Sequence, residues 1–567
     1  MIDRTPPRWL VWLLFALAAW VYCNHLGTPA LFDDPNDAQY AEVAREMVET
    51  GEWISPQLDY VVFLNKPPLT YWLIGLSYTA FGVNEFAARL PGALTGLILL
   101  LLVWRLGCRL WDDWTGLTSA GVLLGTAGLL LEPRQVRPDL LLTTAIVGAL
   151  LAATRLAQRP HDRAAERITL IGWQAALAVA LLAKGIVGVL MPCGALLVAL
   201  CVGRGMRNPS DIRDPRWIGT LLHPRAWWLL LALVAPWHLV IAYRHPGFAW
   251  DYIVNQHVLF FLDRKLPHDS EGIALSRFWL AFALRLFPWT IFLPMAVVHA
   301  WKDARNDFTR WRAGFLLGWL ATVMGLFSAA GSRLEHYAIP ALPACALMIG
   351  ALLQHAPRRS VWLLHLLPLA VAGVAAPLVL PQLIASQDWL AGVPGLSDLA
   401  ASAGWLFAIG TVLALGLTMR PRWVPLPLVA MMCAMVPVMV RGLGLLAPFD
   451  SSATIAATVS ALTADTDAVL VYEAPMEYQS GAALFFYTRH KWLLLRPEGF
   501  VTPPYLVPHE SELFITREEF ERRWRDDRVL FVSDPSQTRT SMKGIAPEPY
   551  WRVARDRTRW LVSNTRP

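Results

Sequence analysis

Pro91-Gly-Ala-Leu-Thr-Gly-Leu-Ile-Leu-Leu-Leu-Leu-Val-Trp104 is the stretch that decides the fold class of this chain. It contains no charged side chain, and it ends a mostly apolar run that begins near residue 70. A helix that crosses a bilayer needs about 20 mostly apolar residues. The run is therefore long enough for one membrane span and a helix beside it.

The composition of the whole chain agrees with this. Hydrophobic residues make up 55% of the 567 positions and charged residues only 16%, which is typical of a polytopic membrane protein. The formal charge of +6 comes largely from arginines in short loops, where basic residues set membrane orientation, so nucleic-acid binding is not expected. The six cysteines lie in or beside apolar segments without paired spacing, which predicts neither a disulfide nor a thiolate metal site.

Apolar runs of this kind recur along the chain and predict a mostly α-helical membrane bundle with about 13 transmembrane helices. The first follows Arg8 without a cleavage site and is expected to stay as an anchor. The predicted runs cover residues 9–23, 70–104, 115–131, 139–154, 168–183, 185–203, 227–243, 276–299, 313–330, 338–354, 361–381, 402–418 and 423–446.

Lysine and arginine gather in alternate loops, which assigns those loops and the N-terminus to the cytoplasmic side. These loops lie at residues 105–109, 155–167, 204–225, 302–312, 358–359 and 420–422. Because both flanks of 168–203 are arginine-rich, that stretch is expected to cross twice. The extracytoplasmic side then receives residues 24–67, 132–138, 245–276 and everything after about 447.

The composition changes near residue 450. The last 118 residues hold 16 acids and 15 bases, a charge density that indicates a soluble domain. Strand-like runs at 467–472, 491–495 and 529–533 flank helical patterns at 483–489 and 517–526, which predicts a small α/β fold. We divide the chain into a transmembrane catalytic domain, 1–446, and a periplasmic α/β domain, 447–567, expected to play a structural or substrate-capping role.

The loop at 24–67, which we call the first loop, holds eight acids against two bases. Its spacing of Tyr40, Val43, Ala44 and Met47 predicts an amphipathic helix lying at the membrane interface. Asp34 and Asp37 share one face of such a helix, and either carboxylate suits a general base or a hydroxyl acceptor. Helix capping is the alternative role for Asp37.

Several cations are predicted on the same extracytoplasmic side, and converging cations suit a phosphate or pyrophosphate. Lys66 precedes Pro67-Pro68, which fixes the entry into the next helix, although an anchoring lysine is the alternative. The other basic groups are Arg134, Arg137, Arg264, Lys265 and Arg333. His257, His268 and His336 lack a strong ligand spacing, so no metal site is assigned and a divalent metal is left open. Lys184 falls at a turn between two spans, where it could equally anchor to headgroups.

These positions together resemble the lipid-linked sugar transferases of the GT-C type. The similarity is to the group containing the aminoarabinose transferases that modify lipid A, and more distantly to the protein O-mannosyltransferases. It covers the first ~340 residues, and the C-terminal part matches only in architecture. The matching stretches are Asp37–Met47, Gly51–Trp53, Lys66–Trp72, Phe81–Pro91, Ala183–Gly185, Ala235–Trp237, Phe287–Trp289 and Ser332–Pro340.

The resemblance implies an inverting glycosyltransferase in the bacterial inner membrane with a periplasmic active site. Its donor would be a sugar on polyprenyl (undecaprenyl) phosphate, and its acceptor a lipid A-like or other lipid or glycan. Asp37 or Asp34 would be the catalytic carboxylate. Donor-phosphate binding is assigned to Lys66, Arg333, Tyr337 and Arg134, and substrate contacts to Asn65, Arg89, Asp139 and His257.

Two departures from the family pattern bear on the sugar. Asn36-Asp37 stands where the aminoarabinose transferases usually carry Asp-Glu, and Asn65 stands where they carry glutamate. The loss of that second carboxylate weakens the case for a metal and for aminoarabinose itself. The rival hypotheses are a transporter or flippase of an amphipathic substrate, which should show repeats and mid-span charges, and a membrane-anchored scaffold for residues 450–567.

Overall fold

The computed structural model describes residues 5–33, 37–158, 163–203, 221, 227–268, 272–355, 359–533, 546–556 and 559–566. The chain divides into two compact units. The first unit comprises Met1–Leu26, Gly92–Pro236 and Ile273–Gly442, and the second comprises Gly27–Pro91, Trp237–Gly272 and Leu443–Pro567. The boundary predicted between residues 446 and 447 stays a prediction. Most of the arginine-rich loop predicted at 204–225 lies outside the described residues.

The first unit is helical in the residues described. Its α-helices are Arg8–Cys23, Asp113–Leu124, Ala127–Leu131, Asp139–Gln158, Arg163–Lys184, Val187–Gly203, Leu275–Leu286, Leu293–Lys302, Asp307–Ala329, Leu342–His355, Arg359–Ala385, Asp388–Ala391 and Leu396–Gly416. Short 3₁₀ turns lie at Glu132–Arg134, Trp289–Phe292, Glu335–Ala341, Leu417–Met419 and Pro421–Trp423. Three helices contribute residues to both units: Glu85–Leu110, Trp228–Arg244 and Pro425–Asp450.

Seven helices among the described residues are long and apolar enough to cross a membrane. The number rises to nine if each of two bent pairs is one span, with bends of 65° near Gly125 and 102° near Phe287. The chain is therefore a mostly helical, multi-pass membrane protein. The count of about 13 crossings stays a prediction, because the helices at residues 8–23, 187–202 and 228–244 are shorter.

Glycines permit the closest helix contacts in the first unit. A Cβ added to Gly107 would lie 2.7 Å from the Cα of Gly116, so these helices meet backbone to backbone, as small residues allow. The predicted double element at 168–203 consists of two helices that part at Gly185. This glycine has φ +87°, a left-handed conformation that ends helices, and its amide donates to the Leu181 carbonyl at 2.9 Å.

The second unit combines helices with strands. Its helices are Asp37–Thr50, Leu69–Phe81, Phe248–Trp250, Ala453–Thr463, Ala482–Thr488, Glu510–Leu513 and Arg517–Asp526, with a π-helix at Asp251–Leu259 and 3₁₀ turns at Tyr478–Gly481 and Val507–His509. A two-stranded antiparallel ribbon pairs Gln57–Leu58 with Val61–Val62.

A six-stranded sheet lies in the C-terminal part of this unit. Its spatial order is Phe514–Ile515, Leu493–Leu495, Val469–Glu473, Val529–Ser533, Trp560–Ser563 and Trp551–Arg555. The first four strands are parallel and the last two antiparallel. Val471 lies opposite Leu493 on one side and Phe531 on the other. All residues of Val529–Ser533 are buried, as expected for a central strand covered on both faces.

The helix Asp37–Thr50 does not show the exposed polar and apolar faces of the predicted amphipathic helix. All residues from Asp37 to Met47 are buried in the protein, so no face of that stretch is open to lipid. Its neighbours are aromatic: the Tyr40 and Tyr71 rings stack at 5.4 Å, and the Tyr78 hydroxyl donates to the Ala41 carbonyl at 3.3 Å. The prediction of a solvent-facing polar side was wrong, because these polar residues pair with one another inside the protein.

Candidate functional site

Asp37 occupies the first position of its helix, and only 1% of its surface is exposed. The amide of the next residue, Ala38, donates to the Phe32 carbonyl at 2.9 Å. A carboxylate at this end is favoured by the helix dipole. The structure therefore holds one of the two predicted catalytic carboxylates in a fixed, buried place. The other, Asp34, lies outside the described residues.

One turn further along, the helix carries an ionic cluster that the sequence analysis did not single out. The Arg45 guanidinium forms two 2.7 Å hydrogen bonds to Glu42, and it also bonds to Glu49. Glu46 accepts from the Tyr60 amide at 2.8 Å. Burial, together with the nearby Glu42, raises the pKa of Glu46 well above its ordinary value. The i,i+3 and i,i+4 spacing of these charges was the signal that could have predicted the pairing.

Lys66 and His257 were predicted separately, and in the second unit the charge of Lys66 acts on the pKa of His257. Burial lowers the pKa of the His257 imidazole, and the positive charge of Lys66 lowers it further. The Nδ1 atom of His257 lies 2.5 Å from the Tyr252 carbonyl. His257 is part of the π-helix Asp251–Leu259, an irregularity that is frequent at functional sites. A neutral imidazole beside an ammonium is suited to an anionic ligand.

Asn65 bonds to a side chain and Arg89 to the backbone, both within the second unit. The Tyr505 hydroxyl donates to Asn65 Oδ1 at 3.4 Å. Arg89 is 2% exposed, and its Nη1 donates to the Pro29 carbonyl at 2.7 Å. Both side chains position the loop, and their predicted contact with substrate stays a prediction.

The first unit contains its own buried ionic site around Asp139, which begins the helix Asp139–Gln158. Lys184 Nζ donates to Asp139 Oδ1 at 2.5 Å, with side-chain exposures of 11% and 2%. The same ammonium lies 4.4 Å from the ring centre of Tyr337, a cation–π distance. His336 Nε2 is 3.8 Å from Asp139 Oδ2. Lys184 is therefore a buried partner of Asp139 and not a headgroup anchor.

A second carboxylate, Glu132, extends this network. Its Oε1 accepts from Arg285 Nη1 at 2.6 Å and from Arg137 Nη2 at 3.3 Å. Arg137 Nη1 also contacts His336 Nδ1 at 3.1 Å. Three basic side chains, Lys184, Arg137 and Arg285, thus surround two carboxylates, so basic groups outnumber acidic ones in the cluster. No local pattern in the sequence predicted Glu132 and Arg285, because they lie far apart along the chain.

Arg134 and Arg333, two predicted phosphate ligands, both hold helix ends. Arg134 donates to the carbonyls of Asn24 and Val21 at 2.7 and 2.6 Å, at the end of Arg8–Cys23. Arg333 donates to Ile273 at 2.9 Å and, less closely, to Phe327 and Ser328 in the last turn of Asp307–Ala329. Arginine commonly satisfies such terminal carbonyls. Phosphate binding by either residue stays a prediction.

Metal ligation was left open by the sequence. Among the residues that the structure describes, no three histidine, cysteine, aspartate or glutamate side chains are grouped so as to hold a metal ion. All six cysteines are free thiols.

The sequence matches one family model, described as dolichyl-phosphate-mannose-protein mannosyltransferase, over residues 65–213. It is also similar to curated undecaprenyl phosphate-α-4-amino-4-deoxy-L-arabinose arabinosyl transferases. Arabinosyl transferase 1 of Pseudomonas fluorescens is 27% identical over 348 residues, which are 60% of this chain and 59% of the relative. The enzyme of Pseudomonas aeruginosa PAO1 is 29% identical over 338 residues, 56% of this chain and 55% of the relative. The chain thus aligns with only about six tenths of the length of these relatives.

Among solved structures, the crystal structure of ArnT from Cupriavidus metallidurans bound to undecaprenyl phosphate covers 99% of both chains with a TM-score of 0.84 and 21% identity. The apo state of the same protein gives 0.82 over 98% of both chains at 22% identity. The chain has this fold, and its resemblance to GT-C transferases of the aminoarabinose transferase type is confirmed.

Proposed function

We propose that this chain, a sequence relative of the aminoarabinose transferases with the fold of ArnT, is an inverting glycosyltransferase that uses a polyprenyl-phosphate sugar. One observation carries the proposal: the sequence relatives are named undecaprenyl phosphate-aminoarabinose arabinosyl transferases, and the solved structure with the same fold is ArnT bound to undecaprenyl phosphate. We take the donor to be a sugar on undecaprenyl phosphate and the acceptor to be a lipid A-like or other extracytoplasmic lipid or glycan.

The reaction is a single displacement. An acceptor oxygen attacks the anomeric carbon, the bond from that carbon to the carrier phosphate breaks, and the phosphate leaves with the electron pair. Asp37 takes the proton if the acceptor is a hydroxyl, and orients the acceptor if it is an ionised phosphate. Lys66 stabilises the negative charge that grows on the leaving phosphate. Arg333, Tyr337 and Arg134 remain proposed contributors to donor binding, and Asp34 the alternative carboxylate.

The proposed topology has about 13 crossings, with the first loop and the α/β segment 447–567 on the periplasmic side of the inner membrane. Reporter fusions at Asp59 and at the C-terminus test it. Both are expected to report an extracytoplasmic location. A cytoplasmic C-terminus with an extracytoplasmic Asp59 would contradict the predicted number of spans.

Activity is tested with the purified protein in liposomes that contain undecaprenyl phosphate-linked sugars and a lipid A acceptor, followed by mass spectrometry of the lipids. We expect acceptor modified by one sugar and an equal amount of free carrier phosphate. A matched sample with Asp37→Asn serves as the control for protein-dependent transfer. Movement of the donor lipid between leaflets without sugar transfer would instead support a flippase.

A further inference from the structure

Asp33 lies four residues before the proposed catalytic Asp37. Both oxygens of its carboxylate are hydrogen-bonded to the C-terminal part of the second unit. Its Oδ1 accepts from the Ala483 amide at 2.9 Å. Its Oδ2 accepts from Arg559 Nη1 and Ser452 Oγ, both at 2.5 Å, and from the Ser452 amide at 3.1 Å. Asp33 is 5% exposed, and its own amide donates to the Asp450 carbonyl at 2.8 Å.

Four hydrogen bonds and the charge of Arg559 hold this carboxylate in place. Asp33 therefore serves to hold the chain, although it stands in the acidic segment next to the proposed base. Charge-assisted bonds of this kind are stronger than neutral ones. Their effect here is to fix a backbone position.

The backbone at Asp33 is connected to the backbone at Asp37 by one hydrogen bond. The amide of Ala38, next to Asp37, donates to the carbonyl of Phe32, next to Asp33. Because Asp33 is tied to Arg559 and Ser452 on the C-terminal side, the start of the helix Asp37–Thr50 is placed with respect to the same residues.

The rest of the first loop is attached to the same C-terminal segment. The Leu31 amide donates to the Tyr487 hydroxyl at 2.9 Å, and that hydroxyl donates to Glu85 at 2.8 Å. The Trp492 amide donates to Asp59 at 2.9 Å. Near Lys66, the Leu64 amide donates to the Tyr505 hydroxyl at 3.4 Å. The C-terminal segment thus contacts the first loop at three places: before Asp37, after the helix that Asp37 begins, and two residues before Lys66.

We infer that the C-terminal sheet segment acts as a positioning device for the first loop, with Arg559 and Asp33 as its central pair of positioning residues. The expected effect of this positioning on catalysis rests on the proposed function. Arg559 touches no reacting atom in this proposal. It sets where Asp37 stands, so its loss should reduce turnover more than donor affinity.

The test compares Arg559→Met, Arg559→Lys and the control Ser533→Ala in the full-length protein. Ser533 is buried in the same sheet, pairs with Trp560 on the next strand, and its hydroxyl bonds to Glu473 and not to Asp33. We expect Arg559→Met to lower kcat about tenfold while the donor KM stays within about twofold, because transition-state alignment is lost and ground-state binding is kept. Arg559→Lys, which keeps the charge, should recover most of that loss, and Ser533→Ala should leave kcat unchanged.

Amide hydrogen exchange provides a readout that does not need activity. In Arg559→Met, exchange in residues 37–47 should rise about tenfold or more while the sheet strands stay protected. Unchanged exchange in 37–47 would overturn the inference, as would an equal rise in the Ser533→Ala control. If Arg559→Met does not accumulate as folded protein, Ser452→Ala, which removes one bond to Asp33, is judged by the same exchange criterion. Absence of transfer by the wild type would refute the proposed function. The hydrogen-exchange result would then still decide whether Arg559 positions the helix that begins at Asp37.

Discussion

Replacing Lys184 by methionine should strongly destabilise the first unit. The substitution keeps most of the length of the side chain but removes the ammonium that lies 2.5 Å from Asp139. Asp139 is 2% exposed, so water cannot take the place of the lost partner. The contact with the Tyr337 ring at 4.4 Å is lost as well.

The magnitude follows from these contacts. Removing one member of a buried ion pair typically costs about 3–5 kcal/mol, and a cation–π contact contributes about 0.5–2 kcal/mol. The Arg137 guanidinium, which contacts His336 beside Asp139, remains in the cluster and offsets part of the loss. We therefore expect Lys184→Met to lower the free energy of unfolding by about 3 kcal/mol, near the low end of the range for a buried pair.

The measurement is unfolding in mixed micelles by increasing the fraction of denaturing detergent, followed by tryptophan fluorescence. Lys302→Met is the matched control: Lys302 is exposed, and its substitution should change stability by less than about 0.5 kcal/mol. The double variant Lys184→Met/Asp139→Leu removes both charges and should return to within about 1 kcal/mol of the wild type. A single variant as stable as the control, or a double variant no better than the single, would refute the reasoning.

Further predictions concern the second unit and one helix end. Asp37→Asn should reduce transfer about 10²–10⁴-fold if the acceptor is a hydroxyl, and Asp34→Asn should be the milder change. Loss of helix capping cannot explain such a reduction, because asparagine caps helices nearly as well as aspartate. Near-normal rates for Asp37→Asn in an assay with purified donor would shift the role to Asp34. Lys66→Met should lower kcat about 10²-fold or more without loss of folded protein by size-exclusion chromatography. Because burial raises the pKa of Glu46, the folded state keeps a proton that the unfolded carboxyl has released. Stability should therefore fall as pH rises from the ordinary carboxyl range toward that raised pKa, and Glu46→Gln should remove this fall from the unfolding profile. Arg333→Met should reduce turnover and also lower stability by about 1–3 kcal/mol, because three carbonyls lose their donor; unaltered stability would contradict its role at the helix end.

Several local features were predicted well from the sequence. Strands Leu493–Leu495 and Val529–Ser533 and helix Arg517–Asp526 lie where the residue patterns placed them. The two helices that part at Gly185 also fall in the predicted stretch. Such features depend on neighbours within a few residues, which the sequence displays directly.

For the helix Asp37–Thr50, prediction from local residue patterns failed. Its heptad-like spacing suggested one apolar and one polar face, but Glu42, Arg45 and Glu46 are almost fully buried. Spacing alone cannot distinguish a polar face turned to water from one that pairs inside the protein. The enclosing partners, Tyr78 and the helix Ala482–Thr488, lie in other parts of the chain.

The sequence by itself determined that this is a membrane protein, where its apolar helices lie, and which charged residues are candidates for chemistry, because hydrophobic length and charge density are local properties. Only the tertiary structure decided which charges are partners. Asp139 meets Lys184, 45 residues away, and Asp33 meets Arg559, 526 residues away. A buried charge must find an opposite charge or hydrogen-bond donors wherever the fold brings them, and that place is set by the packing of whole helices and strands.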